Sequence, residues 1–271
     1  MPLRFVKMSG AGNDFILLRG KVTGLPALAK RLCPRRSSIG ADGLLVMYEI
    51  STRVRRLPKG HGAVPHPRHG FRYYNADGSR AFCANGCRCA AWYAYLNRWA
   101  GRRFVLGTDA GPVECRIAGE ERVRILMPAA RIVRRVRANG LDATCVHTGV
   151  PHAVVRVRRS SALARLDVRG LGRALRRHPV FGRGGTNVDF LALSRGRAFL
   201  RTYERGVEDE TLACGTGAVA AALLCAKRGP VKLSAPGGSF TVDFRPLGDG
   251  RFTDVWLEGP ARVVYEGVFR T

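Results

Sequence analysis

Two cysteines in this chain stand where a turn-rich segment leads into an apolar helix. The first is Cys83, which follows the turn residues of 75–79 and precedes an apolar run over residues 89–96. A thiol at a helix start faces unpaired backbone N–H groups and the positive end of the helix dipole. We therefore predict a lowered pKa and a reactive thiolate at this position.

The same arrangement occurs a second time, close to half the chain length further on. Cys214 follows a polar segment and precedes the Gly- and Ala-rich run of residues 215–222. Two shorter blocks also recur in matching order: residues 9–18 resemble residues 148–155, and residues 40–46 resemble residues 185–191. These repeats indicate a duplication, with two similar halves that each contribute one thiol.

The elements that must position the thiols are mostly strands. Alternating apolar residues predict strands through most of each half, including one over residues 39–47, and short helices are predicted over residues 25–32 and 163–177. Residues 129–143 are interpreted as a connection plus a strand. We predict an α+β protein, each half a strand-rich sheet around a central helix. The halves are residues 1–128, completed by the C-terminal strand, and residues 129–271.

Composition narrows the class of protein. The chain has 271 residues, of which 46% are hydrophobic, and it contains no apolar run of about 18 residues. Its start shows no apolar segment of signal-peptide length, so we expect a cytoplasmic protein. The eight cysteines lie in apolar or turn-helix settings of a large chain, which favours reduced thiols over disulfides.

The net charge of +26 raises the question of nucleic-acid binding. It comes from 40 arginines and six lysines that are spread along the whole chain and form no single basic tract. No nucleic-acid recognition motif accompanies the charge. We therefore expect no specific nucleic-acid partner, although non-specific contacts with polyanions at low salt fit the charge.

Two thiols at equivalent helix starts could form a disulfide, bind a metal or flank a substrate. A metal site is disfavoured for two reasons. No Cys-x-x-Cys pair lies around Cys214 to complete a ligand set with Cys83, Cys87 and Cys89. The histidines of the polar loop 58–70, which are His61, His66 and His69, fit no standard ligand pattern. If the thiols flank a substrate, one could remove a proton from carbon while the other returns a proton to the opposite face.

The chain resembles the diaminopimelate epimerase family, and the resemblance extends from end to end in family order. It implies two pseudo-symmetric α+β halves with the site in the cleft between them. It also implies interconversion of LL- and meso-diaminopimelate without cofactor or metal, on the route to lysine and peptidoglycan. The matching blocks are residues 10–15 (Gly-Ala-Gly-Asn-Asp-Phe), 40–43 (Gly-Ala-Asp-Gly), 75–79 (Asn-Ala-Asp-Gly-Ser), 83–86 (Cys-Ala-Asn-Gly), 149–152 (Gly-Val-Pro-His), 185–190 (Gly-Thr-Asn-Val-Asp-Phe), 204–208 (Glu-Arg-Gly-Val-Glu) and 213–218 (Ala-Cys-Gly-Thr-Gly-Ala).

The resemblance assigns roles to individual residues. Cys83 and Cys214 would be the two acid/base residues, and His152 and Glu204 would tune the pKa values of the thiols. A disulfide between the two cysteines would abolish activity, and a protein of two such halves could form a homodimer. The family's substrate-binding positions correspond to Asn13, Asn75, Ala84, Asn85, Asn187, Glu204, Arg205, Gly215 and Thr216.

Four positions depart from the family pattern. Val150 stands where many members have a substrate-binding Asn, Gly43 where some have Gln, Ala84 where Gly is usual, and Cys87 where Ala is common. Relatives in the superfamily epimerise or racemise proline, hydroxyproline or other amino acids with two cysteines, so another amino acid is the alternative substrate. A basic nucleic-acid-binding protein on an inactive epimerase fold is the alternative from a different class.

Overall fold

The computed structural model describes residues 2–50, 67–194 and 196–270. His61 and His66 of the predicted polar loop lie outside these residues. The helices are α1 (Leu25–Leu32), α2 (Ala84–Leu96), α3 (Ser160–Ala164), α4 (Val168–Arg176) and α5 (Gly215–Ala222). The strands are β1 (Leu3–Gly10), β2 (Asn13–Arg19), β3 (Gly43–Glu49), β4 (His69–Asn75), β5 (Arg80–Ala81), β6 (Arg103–Thr108), β7 (Gly111–Gly119), β8 (Arg122–Leu126), β9 (Ala130–Ala138), β10 (Leu141–His147), β11 (Pro151–Val157), β12 (Asn187–Ser194), β13 (Arg197–Glu204), β14 (Asp209–Thr211), β15 (Val231–Ala235), β16 (Gly238–Gly248), β17 (Arg251–Pro260) and β18 (Arg262–Phe269).

These elements form two compact units. The first comprises Met1–Ile125 and Pro260–Thr271, and the second comprises Leu126–Gly259. The last strand of the chain therefore belongs to the first unit, where β18 pairs with β1.

In the first unit the chain follows one connection pattern around its sheet. β1 and β2 are antiparallel, α1 carries the chain to β3 parallel to β2, and β4 returns antiparallel to β3. The short β5 pairs with β4, α2 follows, and β6 then runs parallel to β4 before the β6–β7 and β7–β8 hairpins. The helix that follows Cys83 thus connects two parallel strands of its own sheet.

The second unit repeats this pattern strand for strand. β9 and β10 pair as β18 and β1 do, β10 and β11 are antiparallel, and α3 and α4 lead to β12 parallel to β11. β13 is antiparallel to β12, β14 pairs with β13, and α5 leads to β15 parallel to β13. The two units have the same topology, which confirms the predicted α+β fold of two pseudo-symmetric halves.

Successive side chains of β3 face different helices. In the first unit Ile16, Leu18 and Leu44 pack with the buried residues of α1 in one apolar cluster. Leu45, from the opposite face of β3, lies against Gly86 of α2. Both faces of the sheet are therefore apolar at this point, and α2 is buried along almost its whole length, from Ala84 to Ala94.

Some element predictions need correction. The helix predicted over residues 163–177 is two helices, because the Asp167 side chain accepts from the Gly170 N–H at 2.9 Å and starts α4. The strand predicted over residues 39–47 begins only at Gly43, since Gly40 has a φ of 77° and belongs to the preceding turn. Residues 129–143 are mainly a hairpin, whose turn is Asn139 and Gly140, both with positive φ. His69, expected in the polar loop, is the first residue of β4.

Among residues 2–50, 67–194 and 196–270, none of the helices has the length and apolar character that crossing a membrane requires.

Candidate active site

Cys83 is the N-cap residue of α2, the central helix of the first unit. Its sulfur accepts from the backbone N–H of Gly86 at 3.4 Å and lies 3.7 Å from the side-chain oxygen of Asn13. Asn85 joins the group, because its side-chain amide donates to the same Asn13 oxygen at 3.4 Å. The fold thus brings together three predicted site residues from β2, the α2 cap and the first turn of α2.

A cluster of charged residues positions the Asn13 side chain. Its amide nitrogen donates to Asp42 at 2.5 Å, and Arg35 bridges Asp42 and Asp14. Lys7 lies 2.8 Å from Asp14. Burial raises the pKa of Asp14, but hydrogen bonds and charges from Arg35 and Lys7 outweigh it and hold this pKa at about 2. Asp14 therefore stays ionised at neutral pH.

Asn75 makes its side-chain hydrogen bond within the turn that leads to Cys83. It ends β4, and its amide donates to the Ser79 hydroxyl at 2.9 Å within the turn that precedes Cys83. Ser79 in turn donates to Asp77 at 2.6 Å. The turn predicted from residues 75–79 is present, and it orders the approach to Cys83.

Cys214 is the N-cap residue of α5, the central helix of the second unit, and only 3% of its surface is exposed. Its sulfur lies 3.3 Å from the hydroxyl of Thr216, and the backbone oxygen of Thr216 accepts from Thr148 at 3.4 Å. Gly215 and Thr216 form the first turn of α5. Two predicted substrate-binding residues therefore stand beside the second thiol.

The pKa of the Cys214 thiol is raised, in spite of its position at a helix start. Burial raises the pKa of this thiol well above its ordinary value, and the carboxylates of Glu204 and Asp189 raise it further. Hydrogen bonds from Thr216 and from the Gly217 backbone act in the opposite direction and are outweighed. The helix start is therefore a weaker influence here than the desolvation of the thiolate.

His152 and Asp189 form a buried pair on neighbouring strands β11 and β12. The Nδ1 atom of His152 lies 2.7 Å from Asp189, whose other oxygen accepts from Thr202 at 2.8 Å. His152 is only 1% exposed, and its Nε2 atom has no hydrogen-bond partner within the part of the chain that the structure describes. The carboxylate therefore orients the ring and leaves one ring nitrogen available.

The remaining predicted residues of the second unit lie at the start of β12 and at the end of β13, which are neighbouring strands. The Glu204 carboxylate accepts a hydrogen bond from the Thr211 hydroxyl at 3.0 Å. The side-chain oxygen of Asn187 accepts a hydrogen bond from the backbone N–H of Arg205 at 2.8 Å. The Asn187 nitrogen donates to Pro151 at 3.0 Å. The Arg205 guanidinium is half-buried and makes no hydrogen bond or ion pair with the residues described.

Two departures from the family pattern have structural explanations. A Cβ atom on Gly43 would lie 2.3 Å from the Tyr73 ring, so the ring occupies the space that a longer side chain at position 43 would need. Cys87 is fully buried, so its side chain is part of the packed interior. Val150 lies between β10 and β11, and its backbone oxygen accepts from the Thr148 N–H at 3.1 Å.

Sequence reasoning did not single out Arg88 and Asp189, which are both fully buried. Each is a charged residue inside an otherwise apolar segment, and such residues are rarely buried without partners. That contrast is the signal that could have found them. All eight cysteines lie within the described ranges and none forms a disulfide there, and no group of acidic, histidine and cysteine side chains in these ranges could hold a metal ion.

Comparisons with known proteins give matches along most of the chain. The family model described as diaminopimelate epimerase matches residues 5–133 and 144–261. A diaminopimelate epimerase from Chlorobaculum tepidum is 38% identical over 275 residues, covering 96% of this chain and 98% of the relative. A second, from Hydrogenobaculum sp., is 35% identical and covers 97% of this chain and 96% of the relative.

Solved structures share the fold at low sequence identity. A PhzF-family phenazine biosynthesis protein from Bacillus anthracis has a TM-score of 0.78 at 11% identity, covering both chains fully. At these levels of identity the likeness concerns the fold alone.

Proposed function

The chain belongs to the diaminopimelate epimerase family, and on that premise we propose that it interconverts LL- and meso-diaminopimelate on the route to lysine. The observation that carries the proposal is a thiol at the N-cap of the central helix in each of two units with the same topology. A helix start can hold a carboxylate through its unpaired N–H groups. Each unit therefore offers one proton-transfer group beside one anion-binding turn.

We propose a two-base mechanism for these thiols. One thiolate takes the proton from Cα, and the opposite thiol gives a proton to the other face, so that the stereocentre inverts and the two cysteines exchange protonation states. The charge that develops on the substrate carboxylate would be stabilised by N–H groups at the helix starts, with Ala84, Asn85, Gly215 and Thr216 as the binding residues. No cofactor is required for this sequence of steps.

The environments of the two thiols support opposite resting states. Burial and the carboxylates of Glu204 and Asp189 favour the neutral thiol at Cys214. Cys83 is less buried and accepts a backbone N–H, which favours a thiolate. We therefore assign Cys83 as the resting base and Cys214 as the resting acid, with His152 and Glu204 as the groups that tune them.

The distal end of the substrate would bind at Arg205. Its guanidinium is not engaged by any residue that the structure describes, and a bidentate pair with a carboxylate suits its geometry. Asn13, Asn75 and Asn187 would contribute amide contacts. Val150 replaces one amide of the family pattern, and this replacement favours the second candidate, epimerisation of a different amino acid by the same two thiols.

Exchange of solvent deuterium into the substrate tests the proposal. We expect exchange at Cα of LL-diaminopimelate and formation of the meso isomer, with reductant present and pyridoxal phosphate absent. Cys83→Ala and Cys214→Ala should each lose turnover, whereas Cys225→Ala is the control because Cys225 lies beyond α5, where its thiol hydrogen-bonds with Ala221. Assays are read by mass spectrometry and chiral chromatography.

Each alternative outcome has a defined meaning. Parent-like epimerisation by Cys83→Ala or Cys214→Ala would contradict the two-base assignment. Exchange with proline or another amino acid, and none with diaminopimelate, would keep the mechanism and replace the substrate, with Val150→Asn as the next variant. A cytoplasmic location and a homodimer remain predictions. Sedimentation velocity would measure whether the protein is a dimer.

A further inference from the structure

Arg88 is a fully buried cation one helical turn after Ala84. It has the largest of the fully buried side chains, and burying a guanidinium costs free energy unless its donors are used. It donates to the side-chain oxygen of Asn85 at 2.7 Å, and longer contacts reach the backbone oxygens of Ala84 and Pro260, each at 3.4 Å. The cation is therefore directed at a residue of the proposed substrate-binding turn.

The chemistry of the partners fixes the orientation of two amides. A guanidinium only donates, so Asn85 must turn its oxygen to Arg88 and its nitrogen away. A carboxylate only accepts, so Asn13 must turn its nitrogen to Asp42 at 2.5 Å and its oxygen away. The Asn85 nitrogen and the Asn13 oxygen consequently face each other at 3.4 Å.

This orientation determines what the Cys83 thiol meets. The Asn13 oxygen lies 3.7 Å from its sulfur and can accept the S–H of the neutral thiol. The Gly86 N–H, at 3.4 Å, can stabilise the thiolate. A residue that alternates between acid and base needs a partner for each state. If the Asn13 amide were reversed, its NH2 group would face the sulfur and favour the thiolate only.

We propose that Arg88 and Asp42 are positioning residues for proton transfer at Cys83, which fix the Asn85 and Asn13 amides so that the Asn13 oxygen faces the thiol. The proposal rests on the proposed function, because it gives Cys83 a role in proton transfer. Arg88 also adds a permanent positive charge behind the first turn of α2. Burial lowers its pKa to about 10, with the thiols of Cys89, Cys83 and Cys87 acting in the opposite direction, so that it stays charged at neutral pH.

The test measures the pH dependence of Cys83 alkylation together with turnover. Iodoacetamide labelling of Cys83 is followed by peptide mass spectrometry, and turnover by deuterium exchange. Arg88→Gln removes the positive charge and should raise the alkylation midpoint by about one pH unit. Asp42→Asn lets the Asn13 amide reverse and should lower that midpoint. Both variants should lose at least about tenfold in turnover.

Opposite shifts with the same loss of turnover distinguish positioning from a purely structural role. Arg88→Lys keeps a donor-only cation, so it should stay closer to the parent than Arg88→Gln in both measurements. Asp109→Asn is the control for Asp42→Asn, because Asp109 pairs with Arg80 at a surface position. It should match the parent.

Three results would overturn the proposal or bear on a different one. A folded Arg88→Gln variant with parent-like midpoint and turnover contradicts it. If Arg88→Gln does not fold, Asp42→Asn decides, because the Asp42 side chain is 39% exposed and its replacement is isosteric; parent-like behaviour there also contradicts the proposal. Failure of the parent to act on diaminopimelate contradicts the proposed function alone, since the alkylation measurement needs no substrate.

Discussion

The two thiols occupy the same position at their helices but meet different neighbours. Cys83 contacts a backbone donor and an amide oxygen, whereas Cys214 is buried near two carboxylates. Carboxylates and desolvation both penalise a thiolate, so they raise the pKa of Cys214 in spite of its N-cap position. The difference between the two sites is therefore local to the groups around each sulfur.

Glu204→Gln tests the cause of the raised Cys214 pKa. Burial is the larger cause and is unchanged by this replacement, but removal of the carboxylate should lower the pKa of Cys214. At pH 8 the parent thiol is mainly neutral, because its pKa is raised well above the ordinary value, so a lower pKa should increase both the thiolate fraction and the rate of iodoacetamide labelling. The labelling rate should rise with pH in both proteins, and the rise should begin at a lower pH in the variant than in the parent.

The control for this prediction is Glu210→Gln. Glu210 pairs with Arg201 at 2.6 Å on the neighbouring strand and does not contribute to the raised pKa of Cys214. An unchanged or slower labelling rate in Glu204→Gln, measured at matched folded fraction, would show that this carboxylate does not hold Cys214 neutral.

At the scale of elements, α2 and α5 differ from ordinary surface helices. Both are buried on nearly all sides, and small residues let the neighbouring strands approach them. Gly217 in α5 shows why: an added Cβ atom would lie 2.3 Å from an oxygen of Asp189. The start of α5 and the carboxylate that orients His152 are therefore packed directly against each other.

Gly217→Ala should destabilise the protein in spite of the better helix propensity of alanine. Propensity favours the substitution by up to about 1 kcal/mol, but overpacking against a fixed carboxylate costs about 1–3 kcal/mol. We expect a net loss of about 1 kcal/mol and lower turnover, since Asp189 and His152 must shift. Chemical denaturation measures the first and deuterium exchange the second.

Gly101→Ala is the matched control, because an added Cβ atom there has no neighbour within 4 Å. It should leave both measurements within error of the parent. A Gly217→Ala variant that is more stable than the parent would mean that the carboxylate moves aside at little cost.

At the scale of the whole molecule, the net charge of +26 is the dominant electrostatic feature. Arginines occur from Arg4 to Arg270 and therefore in both units. A dispersed charge of this kind attracts polyanions without selecting a sequence, and salt screens it.

We expect the protein to bind duplex DNA at about 0.05 M salt and to release it at about 0.15 M salt. Two duplexes of unrelated sequence should behave alike, because the contacts are to phosphates. Fluorescence anisotropy over a salt titration measures both. Tight, sequence-dependent binding at about 0.15 M salt would instead support the nucleic-acid hypothesis.

Much of this protein is determined by its local sequence. Turn residues followed by an apolar run placed both thiols at helix starts, and alternation of apolar residues located most strands, because caps, turns and pleats depend on neighbours within a few residues. The order of the family blocks indicated the function. The hairpin turn at Asn139 and Gly140 is also a local feature, because the Asn-Gly pair favours the positive φ values that such a turn requires.

Other properties were decided only by the tertiary structure. The raised pKa of Cys214 depends on burial, on Glu204 at the end of β13 and on Asp189 in β12, which the fold brings close to the sulfur. The amide orientations beside Cys83 depend on Asp42, and the space at Gly43 depends on Tyr73. Desolvation, charge and steric exclusion act through space, so a pattern that is read along the chain shows where a thiol stands, and only the folded chain shows its protonation state.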